Sequence, residues 1–170
     1  MKQIIYKEVN AIIDLCNFVV MSAIKSESNV RISLVRQCLK TFTEFITWLP
    51  NGYVFENELI ETVLRHFIVP SQTRLDSIKL FREVVQIDLS DEDEALQKAY
   101  KERKCLLFCN FIDCIYNIVK GRDLRQEYET LLQKNNTSGF ETFCRQLCET
   151  IAAVFQENLD LIEQITNTIE

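Results

Sequence analysis

Glycine and proline are scarce, three and two in 170 residues. Sheet-rich and mixed folds of this length need many more turn residues, so the shortage favours long helices. His66 is the only histidine. No acid or nucleophile stands at a recognisable spacing from it, which removes a catalytic triad and general acid–base chemistry from the reading. No glycine-rich stretch could cradle a phosphate, so no nucleotide cofactor is expected. Positive charge is short as well: 19 Lys and Arg stand against 25 Asp and Glu, a net charge of -6. Direct nucleic-acid binding is disfavoured, because phosphate contact needs a clustered basic surface. Apolar runs such as NFVVMSAI are too short to span a bilayer. The opening MKQIIYKEVN carries charges where a signal peptide needs an apolar core. The expectation is a soluble intracellular chain with no membrane contact.

Hydrophobic residues are plentiful at 47%, enough for a substantial core. Seven cysteines are present: Cys16, Cys38, Cys105, Cys109, Cys114, Cys144 and Cys148. The odd count within apolar helical patterns reads as reduced thiols. Cys105 with Cys109, and Cys144 with Cys148, have i, i+4 spacing and could in principle supply four zinc thiolates. Structural zinc pairs more often sit on turns, so small buried hydrophobes are the preferred account and no metal is expected.

Apolar residues recur at steps of three and four from end to end. One stripe is Val9, Ile12, Ile13, Cys16 and Val20, broken at Ser28 and Asn29. A second is Val35, Cys38, Leu39, Phe42, Phe45, Ile46 and Leu49, stopped by Pro50-Asn51-Gly52. Asn57 can cap a third helix carrying Ile60, Val63, Leu64 and Phe67. After Pro70, Ser71 opens a fourth with Leu75, Ile78, Phe81 and Val85. Ser90 caps a long fifth with Tyr100, Leu107, Phe108, Phe111, Ile112, Ile115 and Val119 inward, ending near Gly121. A more polar helix uses Leu124, Tyr128, Leu131 and Leu132. Ser138 and Glu141 have capping-box spacing before Phe140, Phe143, Cys144, Leu147, Ile151 and Val154. A last helix begins near Asn158 with Leu159, Ile162, Ile165 and Ile169.

Seven or eight helices with short connections make antiparallel neighbours. Two helices plus loops recur over roughly 40 residues, as in HEAT-type solenoids. The expected fold is all-α, an α-solenoid of antiparallel helix pairs resembling an ARM-like superhelix. Residues 1–170 are expected to form one segment of it, an internal part of a longer protein, because polar capping helices are absent at either end.

The stretch LKTFTEFITWLPNGYVFENELIETVLRHF, from Leu39 to Phe67, carries the most specific signal. Trp48, Leu49, Pro50, Gly52, Tyr53, Val54, Phe55 and Glu56 follow in order a pattern that resembles the fifth-repeat region of exportin-1-type nuclear export receptors. IIDLCNFVVMSA resembles the preceding inner helix of that family, and GFETFCRQLCETIAAVFQENLDLIEQ a later one. Between about Asp88 and Thr137 only the helical pattern matches. Read physically, Pro50 and Gly52 force a tight turn over which Trp48, Tyr53 and Phe55 pack. These residues identify the family and are not expected to form a binding site.

The resemblance implies a receptor that performs no covalent chemistry. Such receptors bind Ran-GTP together with cargo bearing a leucine-rich export signal, pass nuclear pore proteins, and shuttle between nucleus and cytoplasm. It places this segment on the arc between the main N-terminal Ran contact and the export-signal groove. By itself the segment is expected to bind neither Ran nor the export signal tightly. An unrelated helical-repeat scaffold and an import receptor of the same superfamily are the alternatives.

Three polar groups are candidates for partner contact. Asp91, Glu92, Asp93 and Glu94 could face a basic surface, although first-turn acids also suit a helix start. Glu58, Glu61 and Arg65, which the resemblance places on the concave side, could touch a partner or form an ordinary polar face. Lys98, Lys101, Arg103 and Lys104 could meet an acidic partner, but also lie within reach of neighbouring acids.

Overall fold

A computed structural model describes residues 2–25, 30–121 and 124–159. Its elements are α1 (Lys2–Ile24), α2 (Val30–Phe45), a single 3-10 turn (Ile46–Trp48), α3 (Asn51–Phe55), α4 (Leu59–Phe67), α5 (Arg74–Val85), α6 (Glu94–Gly121), α7 (Leu124–Gln133) and α8 (Ser138–Glu157). No strand occurs among the described residues. The fold is the expected all-α solenoid of antiparallel helix pairs.

Two hairpins stack, α1 with α2 and α4 with α5, and α6 and α8, which meet through Phe108 and Phe155, follow them. Packing along the stack runs in two rows, α1 on α4 on α6, and α2 on α5 on α8. The ion pair Arg36 to Asp76 joins the second turn of α2 to the first turn of α5. Arg74, at the start of α5, lies over the ring of Phe143 near the start of α8. Helices within a row therefore run parallel, which is what stacking of like hairpins requires.

The core fills the space between the rows. Val20, Val35, Leu39, Leu64, Ile68, Ile78, Phe81, Phe111 and Phe143 are at most 2% exposed. Phe81 and Phe111 stack at 4.6 Å between centroids and lock α5 to α6, a contact worth about 0.5–1.5 kcal/mol beyond area burial. Cys16 and Cys38 meet across α1 and α2; burial, with Cys38 beside it, pushes the Cys16 thiol up to about 12.

Several boundaries differ from the sequence expectation. Ser90 does not cap the long helix. Asp93 does, its Oδ1 accepting from the Leu96 N–H at 2.9 Å and its carbonyl from Gln97. Ser90 instead donates its N–H to Asp88 Oδ1. Ser138 is already helical, and Thr137 supplies the first carbonyl, accepting from Glu141 N–H, with no side-chain cap. Ser71 sits in a turn before α5, where the Pro70 carbonyl accepts from both Thr73 and Arg74. Asn57 does cap α4, its Oδ1 accepting from Leu59 N–H at 2.9 Å. The periodic stripes also overreach at their edges. Ile12, Phe45, Val119 and Leu132 are 37%, 37%, 55% and 55% exposed, while Ile118 is buried in place of Val119. The break at Ser28 and Asn29, and the last helix beyond Leu159, lie outside the described residues.

Candidate interaction surface

The tight turn expected at Pro50–Gly52 is a one-turn helix. Pro50 precedes it, fixing φ at -56°, and its carbonyl accepts from Tyr53 N–H at 2.9 Å. No glycine among the described residues has positive φ. Gly52 allows a close approach: a Cβ there would lie 3.2 Å from Glu56 Oε1 and 3.4 Å from the Tyr100 hydroxyl, so these side chains would have to give by a few tenths of an ångström. That space lets Tyr100 on α6 donate to Glu56 Oε1 at 2.8 Å while its ring stacks on Phe55 at 5.2 Å. The Glu56 carboxylate, followed by burial and by Glu92 and Asp93, pushes the Tyr100 phenol up to about 12.

Trp48 does not pack over this turn. It is 81% exposed: the 3-10 turn sends Ile46 inward, and the chain then leaves it extended at Leu49 (ψ 141°), which is also buried. Tyr53 is half-buried and Phe55 buried, so the interhelical angle is held by Phe55, Tyr100 and Leu49. Nothing in the local sequence separates an outward from an inward tryptophan at this position.

The acidic run lies beside α3. Asn51 Nδ2 donates to Glu92 Oε1 at 2.8 Å, and Gln97 donates to the Glu92 carbonyl at 2.9 Å. Asp91 and Glu94 are exposed, as is Asp93 with its capping oxygen engaged. Asp88 is held below the usual carboxylate range by the Ser90 and Leu89 N–H groups, with Lys104 adding to it. Glu92 and Asp93 are therefore structural, fixing the loop and starting the helix.

The other candidates are split between layers. Glu61 pairs with Arg103 at 2.9 Å, tying α4 to α6. Glu58 and Arg65 stay exposed. Lys104 donates to the Ile87 carbonyl at 3.0 Å, and burial pushes its ammonium down. Of the basic cluster only Lys98 and Lys101 remain exposed. Thus Glu61, Arg103 and Lys104 serve the stack.

The seven cysteines are free thiols. Burial, then the neighbouring thiol, pushes Cys105 and Cys144 up, so neither of these two is poised as a thiolate nucleophile. Among the described residues no three His, Cys, Asp or Glu side chains converge as metal ligands, and no helix is long and apolar enough to cross a membrane. Sequence reasoning missed two buried charges: Arg74, which donates to Glu127 at 2.6 Å, and Asp76, which accepts from Arg36 at 2.7 Å. Their partners lie 53 and 40 residues away, beyond any local pattern.

A family model described as "Exportin 1-like protein" matches residues 1–86, which cover α1 through α5. Exportin-1 of Drosophila melanogaster is 28% identical over 102 residues, 60% of this chain and 9% of that protein. Protein EXPORTIN 1A of Arabidopsis thaliana is 31% identical over 91 residues, 54% of this chain and 8% of that protein. Protein EXPORTIN 1B of the same plant is 24% identical over 170 residues, 99% of this chain and 14% of that protein. The chain thus spans only a small part of the length of these relatives.

Proposed function

Because this chain belongs to the exportin 1-like protein family, we propose that it is a HEAT-repeat segment of a nuclear export receptor, one that carries leucine-rich export-signal cargo with Ran-GTP through the nuclear pore and shuttles between nucleus and cytoplasm. The observation that carries this reading is the family match across two complete hairpins, α1/α2 and α4/α5. The stack of parallel rows supports it, since small changes at each hairpin interface add up to large changes in curvature. A receptor of this kind works by coupling: Ran and cargo each favour the conformation that suits the other.

Within the receptor this segment is an elastic arc. Its ion pairs Arg36–Asp76, Arg82–Glu149 and Glu61–Arg103 all bridge neighbouring hairpins, where curvature is set. The outward groups Asp91, Glu94, Glu58 and Arg65 are the positions left for partner contact.

The test is capture of the full gene product by immobilised Ran in its GTP and GDP forms, with and without an export-signal peptide. Capture by the GTP form alone, strengthened by the peptide, is expected. Equal capture by both forms would overturn the reading, and loss of cargo on adding Ran-GTP would favour an import receptor. The 170-residue chain alone is expected to bind neither ligand tightly.

A further inference from the structure

Arg74 opens α5 and is buried. Its guanidinium forks the Glu127 carboxylate at 2.6 and 3.4 Å. It also lies over the rings of Phe143 and Phe140, 4.2 and 5.7 Å from their centroids. A planar cation backed by aromatic faces and turned to one carboxylate is how proteins hold carboxylate ligands. Here the carboxylate is the chain's own, and the helix that brings it is lightly held. Among the described residues α7 packs along no other helix and has no fully buried side chain. Tyr128 rests its ring 5.8 Å from that of Phe140, and Leu124 packs partly buried against the core. Leu124, Glu127 and Tyr128 stand at i, i+3 and i+4, so one face of α7 makes these contacts. With 10 residues, α7 is too short to stay helical without support. Its release and its unfolding are therefore one event.

We infer that Arg74, with Phe140 and Phe143, is a carboxylate-binding site, filled at rest by Glu127 and open to an external carboxylate whenever α7 leaves it. On this account α7 is a strap that shuts the site. The class of ligand follows from the geometry. The guanidinium offers paired N–H groups that match the two oxygens of a carboxylate. The rings around it suit a ligand with little other polar surface. Linkage fixes the sign of each effect. An external carboxylate binds only the form without the strap, so it must raise the population of that form and loosen α7. Where Glu127 is removed, the same carboxylate fills the place left over Arg74 and must stabilise the fold. One ligand thus acts with opposite signs on the two chains. The inference rests on the ion pair and the light packing of α7, and is independent of the transport reading.

The probe is acetate on the 170-residue chain, compared with chloride at equal ionic strength and with uncharged acetamide. Amide exchange is followed residue by residue by nuclear magnetic resonance at neutral pH. In the unaltered chain α7 is expected to exchange at least about tenfold faster than the cores of α5 and α8. For a carboxylate held at about 50 mM, roughly 0.5 M acetate should quicken α7 about tenfold more, with α5 and α8 unchanged. In Glu127→Ala the same acetate should raise Tm by roughly 3–6 °C. Acetamide should do neither. Arg74→Met combined with Glu127→Ala removes the receptor and should abolish the response to acetate, and the exchange measurement on the unaltered chain stands even if a variant fails to fold. Exchange of α7 only through global unfolding, acetate acting no more than chloride, acetamide acting as acetate does, or a response that survives Arg74→Met would each overturn the inference.

Discussion

Glu127→Ala tests the energetics of the stack most sharply. Arg74 is 4% exposed, and its guanidinium forks Glu127 at 2.6 and 3.4 Å. It also lies 4.2 Å from the centroid of Phe143. Removing the carboxylate strands a buried cation. Breaking a buried pair costs about 3–5 kcal/mol, and Glu127 keeps 26% of its side chain exposed, so water can partly re-solvate the charge. The lower end, about 3 kcal/mol, is the expected loss. For a chain of this size that lowers Tm by roughly 6–12 °C. The control is Glu129→Ala. Glu129 meets Arg125 at 3.1 Å, with the two side chains 56% and 87% exposed, and should cost at most about 0.5 kcal/mol. Because α7 has no fully buried residue, the Arg74 link should also govern its local opening. Amide exchange across α7 is expected to quicken in Glu127→Ala before the rest of the chain melts. Adding Arg74→Met should recover much of the loss, since no buried charge then remains. If Glu127→Ala melts with Glu129→Ala, the argument is refuted.

Asp93→Ala is expected to cost about 1 kcal/mol in urea melts as a lost N-cap, and Ser90→Ala close to nothing. The reverse order would restore Ser90 as the cap. Trp48→Ala should change stability by less than about 0.5 kcal/mol, and the emission of this sole tryptophan should be that of a water-exposed indole, open to acrylamide. Blue-shifted, shielded emission would mean that the ring packs over α3 after all. Alkaline pH should destabilise the fold. The buried Cys16 thiol is raised from 9.0 to about 12, so the native state holds a proton that the unfolded state releases. The stability this contributes is complete below the unfolded value of 9.0 and is lost as pH climbs toward about 12. Melts at rising pH should show Cys16→Ala losing less than the unaltered chain over that window.

Much of this architecture was legible because burial imposes a helical period. Val20, Val35, Leu64, Phe81, Phe111 and Val154 all sit where steps of three and four place them. The pattern fails at helix edges, where Phe45 and Val119 share a stripe with buried neighbours but are themselves exposed. A stripe says that a side is apolar. It does not say which hairpin covers it. Caps were misread where two candidates stood close together, since Ser90 and Asp93 differ only in which one the chain's exit from Leu89 leaves free to bond. Trp48 is the largest miss. Its motif identifies the family, yet its outward placement follows from the extended backbone at Leu49 and Pro50. Of the partner candidates, Glu61 and Arg103 turned out to hold helices together, because long-range pairing is invisible in local spacing.

The arrangement of the rows can be read directly from methyl contacts by nuclear magnetic resonance, recorded on dilute protein labelled so that only contacts within one molecule contribute. Stacked rows require cross-peaks from Ile13 or Val20 on α1 to methyl groups of α4, and from Val63 or Leu64 on α4 to Ile115 or Ile118 on α6, with none from α1 to α6. Direct contacts between α1 and α6 would mean that the helices close into a bundle, and the solenoid would be wrong.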